Sequence, residues 1–313
     1  MRLIFMGTPS FAVPTLEACI DAGHEVAAVF TQPDRPKGRG GELAQSQVKQ
    51  AALAHNLTVH QPQRVRHVDV VEQINGIAPR AIVVVGYGQI IPQSIIDIPA
   101  LGILNVHASL LPCYRGAAPI QWAVANGEIE TGVTIMCIDA GLDTGDILLK
   151  ESTLIGGDEL APELSSRLAA MGASLLIDAL RGLDAGTITA VPQDNAIATL
   201  APILKKEDGR IDWSAPAGTI YNRLRGFTPW PGASTTFRGQ QLHIQSASLA
   251  AGPTTASPGT LLPSKNRLSV ACGGGSVLEI LELQLEGRKR VNAAAFLNGQ
   301  RLHDNERLGD SPN

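Results

Sequence analysis

Cysteine is sparse. The chain has 313 residues and four cysteines, Cys19, Cys113, Cys137 and Cys272, all far apart and with no C-x-x-C pair. Zinc-ribbon and thioredoxin-type sites are thereby excluded, and the thiols read as reduced fillers of small spaces. No His/Cys/Asp spacing suggests a metal. Charge is sparse too. Charged residues make up 17% against 44% apolar, which excludes an extended disordered chain. The formal net charge of −4 excludes a bulk polycation that coats nucleic acid, and leaves room for a local basic patch. Long apolar runs are missing. The longest nearly apolar stretch, Ala81 to Ile91, is broken by Gly86, Tyr87, Gly88 and Gln89, whereas a bilayer span needs about 20 apolar residues. Met1–Met6 meets Gly7-Thr8-Pro9 too soon for a signal-peptide core, so a cytoplasmic protein without membrane contact is expected. Gly7-Thr8-Pro9-Ser10 is neither G-x-G-x-x-G nor a Walker loop, which leaves a nicotinamide cofactor unsupported. Ser109 lacks the G-x-S-x-G elbow of hydrolases.

What is present changes character along the chain. At about 150 residues per domain, the length suggests two domains. The first half alternates strand-like and helix-like segments: strands at Arg2–Met6, Glu25–Phe30, Leu57–His60, Ala81–Val85, Gly102–Val106 and Gly132–Ile138, and helices at Phe11–Ala22, Ser46–His55, Ala117–Ala125 and Leu160–Leu183. Such alternation predicts a three-layer α/β domain over residues 1–189 with a mostly parallel sheet, in which ligands bind beyond the carboxyl ends of the strands. Residues 190–206 are weakly periodic and read as a linker. From 207 to 313, short strand-like pieces (Gly239–Ser248, Gly259–Leu262, Arg267–Ala271, Val277–Gln284) are punctuated by Gly and Pro, which predicts a small antiparallel β-barrel. That second part carries 11 Lys+Arg against 9 Asp+Glu, a modest positive excess in an otherwise acidic chain.

The densest group of unusual residues is Asn105-Val106-His107-Ala108-Ser109-Leu110-Leu111-Pro112, followed by Tyr114-Arg115-Gly116. Asn105 and His107 stand at i and i+2 at the end of a predicted strand, so their side chains share a face. One offers an amide donor, the other a proton donor or acceptor near neutral pH. Such a pair can stabilise an oxygen anion and move a proton. Downstream, Asp139 to Asp146 forms an acidic, glycine-containing turn after another strand, from which an aspartate can reach His107 and orient its ring. Trp213 and Trp230 are expected to be packing residues rather than base-stacking platforms.

Taken together, Asn105-x-His107-x-Ser109-Leu110-Leu111-Pro112, Arg115-Gly116 and Leu142-Asp143-x-Gly145 closely resemble the formyltransferases that use 10-formyltetrahydrofolate. Further motifs extend the resemblance over nearly the whole chain: Phe5-Met6-Gly7-Thr8-Pro9, Phe30 to Pro36, Gly38-Arg39-Gly40, Thr131 to Met136, Ile211-Asp212-Trp213 and Pro229-Trp230-Pro231-Gly232. The resemblance implies a Rossmann-like N-terminal domain, a linker and an OB-like C-terminal barrel. It implies formyl transfer from 10-formyltetrahydrofolate to the α-amine of methionine on initiator tRNA, releasing tetrahydrofolate, by a monomer that needs no metal. The family's catalytic residues fall on Asn105, His107 and Asp143. Its folate segment falls on Ser109, Leu110, Leu111 and Pro112, with the loop of Tyr87 and Gly88 nearby. Its insertion loop falls on residues 34–49, where Arg35, Lys37 and Arg39 are expected to meet the tRNA acceptor arm. In the second domain Lys265, Arg267, Arg288, Lys289 and Arg290 are the candidates for the RNA backbone.

Overall fold

A computed structural model describes residues 1–37 and 42–309. Its contacts divide the chain into two units. The first comprises Met1–Pro119, Glu130–Leu154 and Leu164–Pro202, and the second Ile120–Ile129, Ile155–Glu163 and everything from Ile203 on.

In the first unit, β1 (Arg2–Gly7) leads to helix α1 (Val13–Asp21) and β2 (Glu25–Phe30). A short antiparallel hairpin, β3 (Arg35–Lys37) and β4 (Glu42–Ala44), follows. Next come α2 (Gln47–Ala54), β5 (Val59–His60), α3 (Val68–Ile77), β6 (Ala81–Val85), α4 (Gln93–Ile96) and β7 (Ile103–His107). Helix α5 (Pro119–Ala125), all but its first residue in the second unit, precedes β8 (Glu130–Cys137) and β9 (Ile147–Leu154), and the long α6 (Ala161–Asp184), in the first unit from Leu164 on, closes the series. The seven-stranded sheet has the order β5-β2-β1-β6-β7-β8-β9. Its first five strands run parallel and the last two are antiparallel, the mostly parallel sheet that the alternation predicts.

Local chemistry explains these elements. All five residues of β6 are buried, as a strand without alternation requires when both faces are covered. On one face Ile4 and Met6, Ala28 and Phe30, and Ile82 and Val84 join Val70 and Ile74 of α3 and Ile95 of α4 in one core. The two-residue spacing on the strands and the four-residue spacing on α3 follow the periods of strand and helix. Ser46 caps α2 by accepting from Lys49 N at 3.0 Å. The chain runs outward from β1 to β2 and β5, then returns to β6 on the other side of β1. Their carboxyl ends flank the switch point where such sheets bind ligands, and β7 lies next to β6.

The second unit contains α7 (Ala217–Phe227), β10 (Ala233–Phe237), β11 (Gln240–Leu249), β12 (Leu261–Ser264), β13 (Arg267–Ala271), β14 (Val277–Leu285), β15 (Val291–Asn292) and α8 (Ala293–Gly299). An antiparallel sheet of order β10-β11-β14-β13-β12, with β15 on β14, forms its body. Ile220 and Leu224 of α7 pack with Leu242, Ile244, Leu268, Val270, Leu278, Ile280 and Phe296. Trp213 belongs to this core, and its Nε1–H donates to Thr235 Oγ1 at 3.0 Å. Trp230 does not: it is 55% exposed, on the turn after α7. The expectation of packing therefore holds for Trp213, whereas Trp230 stands half out of the surface in a proline-flanked turn.

Candidate active site

Strand β7 ends on His107, with Asn105 two residues before it on the same face. The half-buried Asn105 carboxamide has no hydrogen-bond partner among the described residues. His107 is buried, and its Nε2 lies 3.0 Å from the Tyr114 carbonyl. A carbonyl only accepts, so Nε2 carries a hydrogen there. The other edge of the ring faces Asp143, with Nδ1 3.6 Å from Oδ2. That is ion-pair range and too long for a hydrogen bond. The same carboxylate oxygen accepts from Gly116 N at 2.9 Å. One nitrogen of His107 is thus anchored to the backbone, and the other faces Asp143.

Asp143 reaches this position through an unusual backbone. Its φ is +51°, a left-handed conformation that Asp adopts more readily than most residues. Two residues on, a Cβ at Gly145 would stand 1.9 Å from Cys137 O, so only glycine lets the turn pass this close to the end of β8. The Gln193 amide donates to the carbonyls of Asp143 and Gly145 at 2.9 and 2.7 Å. Gln193 in turn accepts from Arg115 Nε and Nη2 at 3.1 and 2.7 Å, and Asn195 Oδ1 accepts from Nη2 at 2.8 Å.

The Ser109–Pro112 segment is fixed by its own hydrogen bonds. Ser109 Oγ donates to Cys113 O at 2.6 Å, Thr134 Oγ1 donates to Ser109 O at 2.7 Å, and Leu111 N donates to Thr134 Oγ1 at 3.0 Å. Ser109, Leu111 and Pro112 are buried, Leu110 only partly. The side chains of Ser109 and Leu111 thus shape the segment, and Leu111 O accepts from Lys150 Nζ at 3.2 Å. The Tyr87 ring is likewise buried in the first unit's core, and burial pushes its hydroxyl up to about 12. Its carbonyl accepts from Thr8 Oγ1 and Gln32 Nε2, both at 3.1 Å. Gly88 is exposed.

The cations expected to meet RNA are more dispersed. Arg35 is exposed on β3, and Lys37 ends that strand; Arg39 lies outside the described residues. Lys49, at the far end of the insertion, is paired with Asp34 at 2.6 Å. Lys265 stands at the exposed tip between β12 and β13, at φ +47°. Arg288 and Lys289 are exposed and without an ion-pair partner among the described residues, whereas Arg290 is paired with Glu282. Sequence reasoning missed Gln193 entirely: a lone glutamine in a weakly periodic stretch gives no local signal. Among the described residues, no group of three His, Cys, Asp or Glu is placed to hold a metal ion, and no helix is long and apolar enough to cross a membrane.

Residues 1–180 match the formyl transferase family, and residues 203–301 match the formyl transferase C-terminal domain. A methionyl-tRNA formyltransferase of Solibacter usitatus is 63% identical over 310 residues, covering 99% of each chain. One of Koribacter versatilis is 56% identical over the same length, again covering 99% of each chain. Among solved structures, an N-formyltransferase of Helicobacter canadensis, in complex with folinic acid and dTDP-3-aminofucose, superposes with a TM-score of 0.67. The alignment covers 90% of this chain and 98% of that one at 18% identity, a likeness of fold.

Proposed function

We propose, since the chain belongs to the formyl transferase family in both of its halves, that it transfers the formyl group of 10-formyltetrahydrofolate to the α-amino group of methionine on initiator methionyl-tRNA. The products are N-formylmethionyl-tRNA, used to begin translation, and tetrahydrofolate. The observation that carries this reading is the 63% identity with a methionyl-tRNA formyltransferase across 99% of both chains. It spans the second half as well as the catalytic half, and so bears on the choice of acceptor as well as on the chemistry.

The geometry supports a mechanism in which each group of the trio has one task. The nucleophile is the neutral methionyl amine. Esterification lowers its basicity below the free α-amino value of about 8, so a neutral fraction exists near pH 7. As nitrogen adds to the formyl carbon, the formyl oxygen becomes an anion. Asn105 donates its unpartnered amide hydrogen to that oxygen, and His107, in its protonated form, donates from Nδ1 while Nε2–H stays on the Tyr114 carbonyl and holds the ring. Each donor of this kind typically contributes about 10²–10³ in rate. Asp143 takes the proton shed by the amine and returns it to the departing folate nitrogen as the C–N bond breaks. Acid–base help of that kind contributes about 10²–10⁴. The Ser109–Pro112 backbone and the Tyr87–Gly88 loop flank the folate side. Arg35, Lys37 and Arg39 of the insertion, with Lys265, Arg288, Lys289 and Arg290 of the second unit, grip the tRNA backbone as a cytoplasmic monomer works on it.

One assay tests the reading. The enzyme is given formyl-labelled 10-formyltetrahydrofolate with methionyl initiator tRNA, unacylated tRNA, a nucleotide-linked amino sugar or water alone. Label on methionyl-tRNA only is the expected result; preferential labelling of the sugar, or release of formate without tRNA labelling, overturns it.

A further inference from the structure

We infer that Gln193 is a positioning residue for Asp143, held in that role by Arg115. The inference rests on the formyl-transfer reading above and adds to it a residue from a segment that sequence analysis treats as a connector.

The segment is built into the catalytic unit. Thr199 N donates to Pro112 O at 3.3 Å, Arg115 N donates to Thr199 O at 2.9 Å, Ala201 N donates to Arg115 O at 2.7 Å, and Ala118 N donates to Ala201 O at 3.2 Å. Tyr114 N donates to Thr199 Oγ1 at 2.8 Å. At Gly116 a Cβ would stand 2.5 Å from Ala201 O, so the two strands of chain touch through their backbones. The loop whose Tyr114 carbonyl anchors His107, and whose Gly116 N–H holds Asp143, is therefore tied along its length to residues 199–201.

Within this frame Gln193 makes four hydrogen bonds, all that a primary amide's oxygen lone pairs and two N–H groups can make. Both of its hydrogens go to carbonyls of the Asp143–Gly145 turn, and both of its oxygen's lone pairs are taken by one guanidinium. Arg115 is buried, and its side-chain hydrogen bonds go to the neutral amides of Gln193 and Asn195. Among the described residues it has no carboxylate partner of its own. A structural arginine is usually matched by an acid; here the buried cation fixes an amide, and the amide fixes the turn at the one residue with a left-handed φ. Without those two N–H donors the Asp143 and Gly145 carbonyls lose these hydrogen bonds, and the Gly116 N–H alone holds the carboxylate 3.6 Å from His107 Nδ1.

The expected effect falls on the chemical step. Gln193→Ala should lower single-turnover formylation at least tenfold at saturating substrates, with KM for folate and for tRNA each within about threefold of wild type. Gln193→Glu keeps an acceptor for Arg115 but puts oxygens against both carbonyls, and should lose at least as much. In an Asp143→Ala background, measured under single-turnover conditions with excess enzyme, Gln193→Ala should cost less than twofold, because the group it serves is gone. Hydrogen exchange at the amides of residues 144–146 should rise in Gln193→Ala while the melting temperature stays near wild type. Wild-type activity in Gln193→Ala, an equal loss in both backgrounds, or a loss confined to KM overturns the role. A wild-type enzyme that fails to formylate methionyl-tRNA overturns the reaction instead, so the two failures are distinguishable.

Discussion

Replacing Asp143 with asparagine isolates charge from shape. The side chains of His107 and Asp143 are 6% and 17% exposed, with Nδ1 and Oδ2 3.6 Å apart. A positioned base that takes a proton in the reaction is worth about 10²–10⁴ in rate; with the turn itself left in place, about 10²–10³ is the working figure for losing it. Asparagine is close to isosteric, tolerates φ +51° as well as aspartate does, and its Oδ1 can keep the hydrogen bond from Gly116 N. The fold should therefore be almost undisturbed. The assay is single-turnover formylation at saturating folate and methionyl-tRNA, with a thermal melt as control. The expected result is a rate down by about 10²–10³, KM values within about threefold, and a melting temperature shifted by only a few degrees. Asp143→Glu, which keeps the charge but lengthens the reach, should fall between wild type and Asp143→Asn. A rate for Asp143→Asn within threefold of wild type, with the protein folded, refutes the assignment of Asp143 to proton transfer.

Other outcomes follow from the same contacts. Asn105→Ala should lower kcat by about 10²–10³ with little change in stability, since its amide has no partner among the described residues; kinetics beside a melt checks it. In the second unit, Arg225 is buried and donates to the carbonyls of Gly156 and Glu159 and to Asn222 Oδ1, so Arg225→Ala should destabilise the protein by about 2–4 kcal/mol in chemical denaturation. Arg288→Glu with Lys289→Glu should weaken tRNA binding and flatten its salt dependence by about two in log–log slope, read by filter binding over a salt series. Burial holds His24 and His60 below their ordinary value of 6.5, and for His24 the N-terminal ammonium adds to this. The unfolded chain then binds more protons than the folded one below about pH 6.5, so their contribution to stability is full above that pH and is lost as pH falls through the window beneath it. His60→Gln should make the melting temperature less sensitive to pH in that window.

How much of this was legible in the sequence depends on the distance over which each feature is made. β6 was read to the residue because five consecutive apolar side chains announce a strand covered on both faces. Asn105 and His107 were placed together because a two-residue spacing needs nothing beyond the strand itself. Strand β9 was missed because much of it is exposed and gives no clear alternation, and α7 because Ile220, Leu224 and Phe227 are set among Gly, Thr, Asn and Arg. Tyr87 reads from the sequence as a loop residue, and nothing in its glycine neighbours shows that its ring turns into the core. Asp143 was found only through its resemblance to a family motif. Its contact with Gly116 spans 27 residues and its contact with Gln193 spans 50, and no periodicity carries information over such spans. The pattern of hydrophobicity dictates where the sheet ends, whereas the placing of an acid beside an imidazole is decided by hydrogen bonds between loops that meet only after the sheet has formed. Motifs can name such an acid, but only coordinates reveal the glutamine that holds it, which is why the positioning residue, and not the trio, is where the structure adds to the sequence.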